Sequence, residues 1–391
     1  MTDLPEPVPE GTRFPLVPES YAASRRWFLG AAELLGAQVR SYELANYRDS
    51  SQADQVAPPT GPDGEPLFVD AAIVGPANAR HLVIASCGLH GVEGYFGAAV
   101  IQRWMMSLGA GTVSLPPETG VVLLHALNPW GFAWDTRFNE DNVDPNRNFL
   151  LPGEAFRGAP PMYAQLDPLL NPPYLPSRLE PVRWKMGLAV LRYGMSALQQ
   201  AVAGGQYEYP RGLFYGGHGP IATQRFLAKE LPALAGHAER VIHMDFHTGL
   251  GRRGTYMLIV EERLSDHDRA GFAATYGADK LREPDHAKKD YQVRGDIGRW
   301  CQHLMRNHRP DAHYLSACAE FGTYPPLNVV IGLREENLTR QHLAADHPRR
   351  RRARQRLREL FCPGSPNWQR WAIPEGADLI TKAAALASQP R

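Results

Sequence analysis

Four apolar runs that break off into reactive side chains limit this fold more than any other feature of the chain. "HLVIAS" (81–86) leads to His90 and Glu93, and "VVLLHALNP" (121–129) leads to Arg137, Asn146 and Arg147. "RVIHMDF" (240–246) ends at His247, and "AHYLSACAEF" (312–321) holds Glu320. A run that is apolar at nearly every position has no solvent face, so it reads as a strand covered on both sides. "SYAASRRWFLGAAELLGAQV", "GYFGAAVIQRWMMSLG" and "GDIGRWCQHLMRNH" carry the helical spacing of apolar residues. Strands alternating with helices imply an α/β sheet with both faces covered. Ligand crevices in such sheets lie beyond the carboxyl ends of the strands. Four separate runs can therefore deliver their side chains to one place.

Other segments fill in the plan. "LFVDAAIVG" and "HLVIAS" read as neighbouring strands joined by the turn "PANAR", and "TYMLIVEE" reads as a further strand. The stretch 150–240, with "NPPYLP" and "PVRWKMGLAVLRYGMSALQQAV", reads as a helical and loop insertion. Residues 335–391 read as a mostly helical extension. No composition break divides the chain, so one catalytic domain over 1–391 is expected.

Composition narrows the function classes. The 391 residues carry 42 basic and 41 acidic side chains. That balance leaves no electrostatic footprint for nucleic acid or an anionic membrane, and neither is an expected partner. The arginine cluster "HPRRRRARQRLREL" suits the solvated face of a helix. Four scattered cysteines, Cys87, Cys301, Cys318 and Cys362, argue against a disulfide framework or a cysteine zinc finger. The acidic, Pro-rich opening "MTDLPEPVPEGTRF" is unlike a secretory signal, and no apolar run approaches membrane-spanning length. A soluble, reducing, cytoplasmic setting is the expectation.

The polar residues at the strand ends suit one chemistry. Two imidazoles and a carboxylate fill three positions of a tetrahedral zinc site and leave a fourth for water. A further carboxylate can take that water's proton. Guanidinium groups can hold a substrate carboxylate or a developing oxyanion. The residue types agree with metal-assisted amide hydrolysis. Gly88, Gly91 and Gly94 permit the tight turn that His90 and Glu93 need. Asp245 precedes His247 by two and shares its strand face, so it can orient the imidazole. Each residue also has a bland reading. Glu93 can favour the positive end of a following helix, His247 can be a hydrogen-bonded core histidine, Arg147 can pair with Asp144, and Glu320 can pair with an arginine. His125 reads as a core residue and Cys87 as a small buried one. Trp130, Trp134, Phe214 and Tyr215 either line the cleft or pack the core.

"GLHGVEG", "NPWGFAWDTRFNEDNVDPNRNF", "DFHTGLG" and "EFGTYP" resemble the motif series of M14-type zinc carboxypeptidases and their deacylase relatives. The resemblance is greatest to the M14-like DUF2817 branch and spans Ser86 to Pro325. It implies a three-layer α/β/α sandwich around a mixed, about eight-stranded sheet. It implies one Zn2+ per chain, held by His90, Glu93 and His247, with Glu320 as general base and later proton donor to the leaving amine. Arg137 would stabilise the oxyanion, Asn146 and Arg147 would anchor a substrate carboxylate, and the Tyr291 phenol would close over substrate. Arg137 and Asn146 are nine residues apart, closer to the deacylases than to digestive carboxypeptidases. One hundred residues separate Arg147 from His247, longer than in the digestive enzymes, and that insertion is expected to cover the cleft. The expected activity is metallocarboxypeptidase action on a small peptide or peptide-like molecule with a free carboxylate. An N-acyl amino acid deacylase is the alternative, and a non-catalytic metal-binding module is the alternative of another class. A nucleotide-binding protein is the weakest reading, because no phosphate-loop motif is present.

Overall fold

The computed structural model describes residues 16–49, 57–194, 204–284 and 293–389. Its strands are β1 (Gln38–Glu43), β2 (Phe68–Val74), β3 (His81–Cys87), β4 (Thr119–His125), β5 (Arg240–Thr248), β6 (Tyr256–Ile259), β7 (Leu281–Arg282) and β8 (His313–Phe321). Its helices begin with α1 (Tyr21–Leu34), α2 (Gly94–Gly109), α3 (Pro129–Ala133), α4 (Tyr163–Leu170), α5 (Val182–Tyr193) and α6 (Ala222–Ala235). They continue with α7 (Asp266–Tyr276), α8 (Ile297–His308), α9 (Pro326–His342), α10 (Pro348–Phe361) and α11 (Pro366–Ala387).

The strands form one mixed sheet of eight, in the order β1-β2-β4-β3-β5-β8-β6-β7. Its central strands alternate between two apolar layers. Val83, Ala85 and Cys87 enter one layer, while Leu82 and Ile84 enter the other. Val121 and Leu123 alternate with Val122 and Leu124 in the same way. This is the period of two expected of a strand buried on both faces. Phe28 of α1, Trp104 of α2 and Ile380 of α11 cover the first face. Phe226 of α6 with Trp300 and Met305 of α8 cover the second. The fold is the expected α/β/α sandwich. Among the described residues, no helix is long and apolar enough to cross a membrane.

Two local expectations fail for physical reasons. β2 and β3 are not partners, because β4 lies between them, antiparallel to β2 and parallel to β3. The short turn after β2 carries the chain past that position. The first helix also stops earlier than its apolar spacing suggests, at Leu34, and Gln38–Glu43 becomes an edge strand against β2. "QVRSYE" is largely exposed or half-buried and carries little apolar alternation to announce a strand.

Register places the site. The parallel pairing of β5 with β8 sets His247 opposite Glu320, Asp245 opposite Cys318 and His243 opposite Ser316. On the other flank Ser86 of β3 lies opposite Asp245. Neighbours in register point to the same face, so a polar row crosses three strands within an apolar sheet.

Candidate metal centre and active site

His90 leaves β3 through Gly88, whose φ of +68° is open to glycine at little cost. Gly91 and Gly94 serve differently from the expectation. A Cβ on Gly91 would collide with the backbone of Gly131, and one on Gly94 would lie 2.5 Å from the Phe132 ring. These glycines let the turn press against α3. Glu93 does not cap the helix it precedes. Its carboxylate turns back, 2.9 Å from His90 Nδ1 and 3.1 Å from His247 Nδ1, and accepts the Thr248 N–H at 2.9 Å. The two Nδ1 atoms are 3.2 Å apart. Glu93 is 1% exposed and His247 2%.

The outer nitrogens are fixed. His90 Nε2 faces Asp144 Oδ1 at 3.1 Å, and His247 Nε2 faces Asp245 Oδ2 at 2.6 Å. A carboxylate partner on each Nε2 can accept its hydrogen, which leaves each Nδ1 directed at Glu93 and at the other ring. Behind Asp245 the bonds continue: Ser86 Oγ donates to Asp245 Oδ1 at 2.6 Å and lies 2.7 Å from His243 Nε2. The far nitrogen of His243 meets the Tyr314 hydroxyl at 2.7 Å. Burial lowers His243 to about 4, so this ring is neutral and passes one hydrogen along the row.

Burial alone would raise Glu93 and Asp144, but their imidazole and guanidinium neighbours prevail. His90 and His247 hold Glu93 well below the carboxylate range, and Arg137 with His90 does so for Asp144. Glu320 goes the other way. Burial and the nearby Glu93 charge push it up to about 7, against the pull of His247, the Leu250 N–H and Arg137. Leu250 N donates to its Oε1 at 2.7 Å.

Arg137 is tied down at two points, donating from Nε to Asp144 Oδ2 at 3.0 Å and from Nη1 to Glu93 Oε1 at 3.3 Å. Its guanidinium lies 5.7 Å from the ring centroid of Phe214. Phe214 belongs to the long insertion and sits at φ +58°, unusual for a residue with a Cβ. The same segment seals the next loop: Tyr215 O accepts from Asp144 N at 2.7 Å, and the Tyr207 hydroxyl donates to Arg147 O at 2.8 Å. Asn146 Oδ1 accepts the Ile297 N–H at 2.9 Å. Arg147 Nη1 donates to Asn146 O at 2.6 Å, while its buried Nε has no partner. Tyr291 lies outside the described residues.

The donor set fits zinc. One atom from each of His90, Glu93 and His247 falls within 4.8 Å of the other two. Ligands at about 2.0–2.1 Å from a tetrahedral ion stand a little over 3 Å apart, close to the separations here. A second cluster, His247, Cys318 and Glu320, shares the His247 ligand. Burial, then Glu320, raises the Cys318 thiol well above its usual range, which disfavours the thiolate a metal needs. Cys87, fully buried, faces the apolar layer and approaches Leu124 O at 3.5 Å.

Sequence reasoning missed Asp144 as a partner of His90, treating it only as a mate for Arg147. The fragment "DPNR" contained the signal: Pro145 opens a tight 3-10 turn whose Asp144 carboxylate also receives Asn146 N at 3.1 Å. His125 was expected to be a satisfied core residue. Its Nε2 lies 2.7 Å from Ser24 Oγ, but its Nδ1 has no partner.

The chain is similar to several solved structures. Thrombin activatable fibrinolysis inhibitor is 11% identical, over 95% of this chain and 75% of that one, with a TM-score of 0.47. Carboxypeptidase A from Helicoverpa armigera is 12% identical, over 94% and 74%, with a TM-score of 0.45. Succinylglutamate desuccinylase from Chromobacterium violaceum is 14% identical, over 87% and 74%, with a TM-score of 0.37. No curated protein matches the chain. The family model described as a protein of unknown function, DUF2817, matches residues 18–374, and the chain belongs to that family.

Proposed function

We propose that the chain is a zinc-dependent amide hydrolase of the M14-like kind, acting on a small peptide or peptide-like molecule with a free carboxylate. The observation that carries this reading is the convergence of three ligand atoms with an acid, Glu320, set opposite one of the ligands in the sheet. His90, Glu93 and His247 would hold the ion. When bound, zinc supplies an acidified water and positive charge for the carbonyl oxygen.

The chain's own residues do the rest. Glu320, poised near neutrality, takes a proton at its carboxylate and returns it to the departing amine. Arg137 is aligned by Asp144 and Glu93, and its Nη2, without a hydrogen-bond partner among the described residues, is available to an oxyanion. On this reading Arg147, whose buried Nε has no partner among the described residues, and the Asn146 amide would anchor a substrate carboxylate. A non-catalytic metal module has no use for a displaced Glu320 pKa.

An N-acyl amino acid deacylase needs the same groups. The packing of Tyr207, Phe214 and Tyr215 over the Arg137 and Arg147 loops favours this variant, since a covered cleft suits a small substrate. Assays of the zinc-loaded chain against short peptides and N-acyl amino acids separate the two. Turnover of neither class, with the metal bound, contradicts the hydrolase reading.

A further inference from the structure

The arginine run that opens α10 does more than cover a solvated face. Arg349, Arg352 and Arg356 stand three and then four residues apart, so they share one side of the helix. That side meets Arg334 and Glu335 of α9 and Arg178 and Glu180 of the segment before α5, and the three elements line a groove. Its free space is about 280 Å³, near the lower end of small-molecule sites. The buried side chains of Pro176, Ile331 and Leu338 supply an apolar part of the lining. None of the lining residues belongs to the metal cluster, and neither Glu320 nor Arg147 is among them.

Five guanidiniums meet only two carboxylates in this groove, and both carboxylates are already spent. Glu180 lies 2.9 Å from Arg334 and 2.8 Å from Lys185, and Glu335 lies 2.7 Å from Arg356. The side chains of Arg178, Arg349 and Arg352 make no hydrogen bond or ion pair among the described residues. Arg178 and Arg352 are exposed, but Arg349 is half-buried and its Nε is fully so, a donor without an acceptor. The helix compounds the imbalance. Its first turn carries no acid, and residues 349–352 set four cations at the positive end of the macrodipole, where cations are disfavoured. His347 Nδ1 accepts the Arg349 N–H at 3.1 Å, so the uncompensated charge lies in the side chains.

We propose that this groove binds a small organic phosphate monoester, with the phosphoryl group on Arg178, Arg349 and Arg352 and the organic body against Pro176, Ile331 and Leu338. The planar fork of a guanidinium matches two phosphate oxygens at once, and no lysine lines the groove. A dianion with three acceptor oxygens answers three unpaired cations better than a single carboxylate does. The apolar part of the lining has no use for a bare ion. Over the whole chain 42 basic groups face 41 acidic ones, which favours a small ligand over a polyanion. The site shares no residue with the reaction cleft, so it stands independently of the hydrolase reading.

Calorimetric titration of the full chain with phenyl phosphate, inorganic phosphate and phenol, at constant ionic strength, tests this. Phenyl phosphate is expected to bind at one per chain. Inorganic phosphate should bind about tenfold more weakly for want of an apolar body, and phenol should not bind. Arg349→Gln and Arg352→Gln should each weaken phenyl phosphate about tenfold or more, the worth of a hydrogen bond to a charged group. Arg351→Gln, in the same run but outside the groove, should change its affinity by less than about threefold. Arg147→Met should leave that affinity unchanged. Melting curves check that each variant folds. Equal losses in Arg351→Gln and Arg349→Gln mark a diffuse basic face and overturn the proposal. A loss in Arg147→Met alone puts the phosphate in the reaction cleft and also overturns it. Inorganic phosphate binding as tightly as phenyl phosphate assigns the groove to the free ion and overturns the monoester. No binding of phenyl phosphate overturns the proposal outright, and none of these results bears on amide hydrolysis.

Discussion

The two walls of the cleft differ in how completely their polar groups are satisfied. On the ligand wall nearly every atom has a partner: His90 and His247 are held on both nitrogens, Glu93 by four groups, and Asp245 by Ser86 and His247. On the opposite wall, among the described residues, Arg147 Nε, Glu261 and the Ser316 hydroxyl have no partner. Buried polar groups without partners are costly, so the two walls differ in how far the fold itself satisfies them. The ligand wall is built to hold a fixed geometry. On the function proposed above, substrate would complete the open wall.

Substitutions can break this contrast, and the largest effect belongs between the walls. Glu320→Gln is expected to cut kcat by about a hundred- to ten-thousandfold while zinc stoichiometry is unchanged. Normal turnover in that variant contradicts the assigned mechanism. On the closed wall, Asp144→Asn and Asp245→Asn should each weaken zinc binding about ten- to a hundredfold. Competition with a chelator measures this, and unchanged affinity shows that those carboxylates do not orient the ligands. On the open wall, Arg147→Met should raise KM by about ten- to a hundredfold with a smaller change in kcat and no loss of zinc.

How much of this was legible in the sequence follows the same divide. His90 and Glu93 follow one apolar strand, while His247 and Glu320 lie within two others, and their bland readings compete only singly; register brings the strand ends together. Arg137, Asn146 and Arg147 were singled out because they follow the β4 run, and their expected roles came from the resemblance. Asp144 was underrated because a short-range partner for Arg147 looked sufficient, whereas the turn at Pro145 aims its carboxylate at His90. Glu261, Asp296 and Ser316 gave no signal. Their convergence depends on how β6 and the start of α8 pack against β8, and no local pattern encodes that. The edge strand β1 was missed because half-exposed residues show no alternation.

A smaller prediction concerns the row that supports the ligand wall. His243 and His125 are both lowered to about 4 by burial. A histidine lowered on folding costs stability as pH falls: the loss begins near the unfolded value of 6.5 and levels off near 4. At about 1.4 kcal/mol per unit, each accounts for about 3 kcal/mol. Melting temperature should drop between those values, and His243→Gln should reduce the drop. An unchanged slope in that variant means His243 is not held neutral.

The central claim is that the closed wall exists to bind one ion. Diffraction from zinc-soaked crystals, recorded at the zinc absorption edge, tests it most directly. A single anomalous peak within bonding distance of His90 Nδ1, His247 Nδ1 and the Glu93 carboxylate is the predicted result. A peak held instead by Cys318 and Glu320, or no peak between the two imidazoles, contradicts the account.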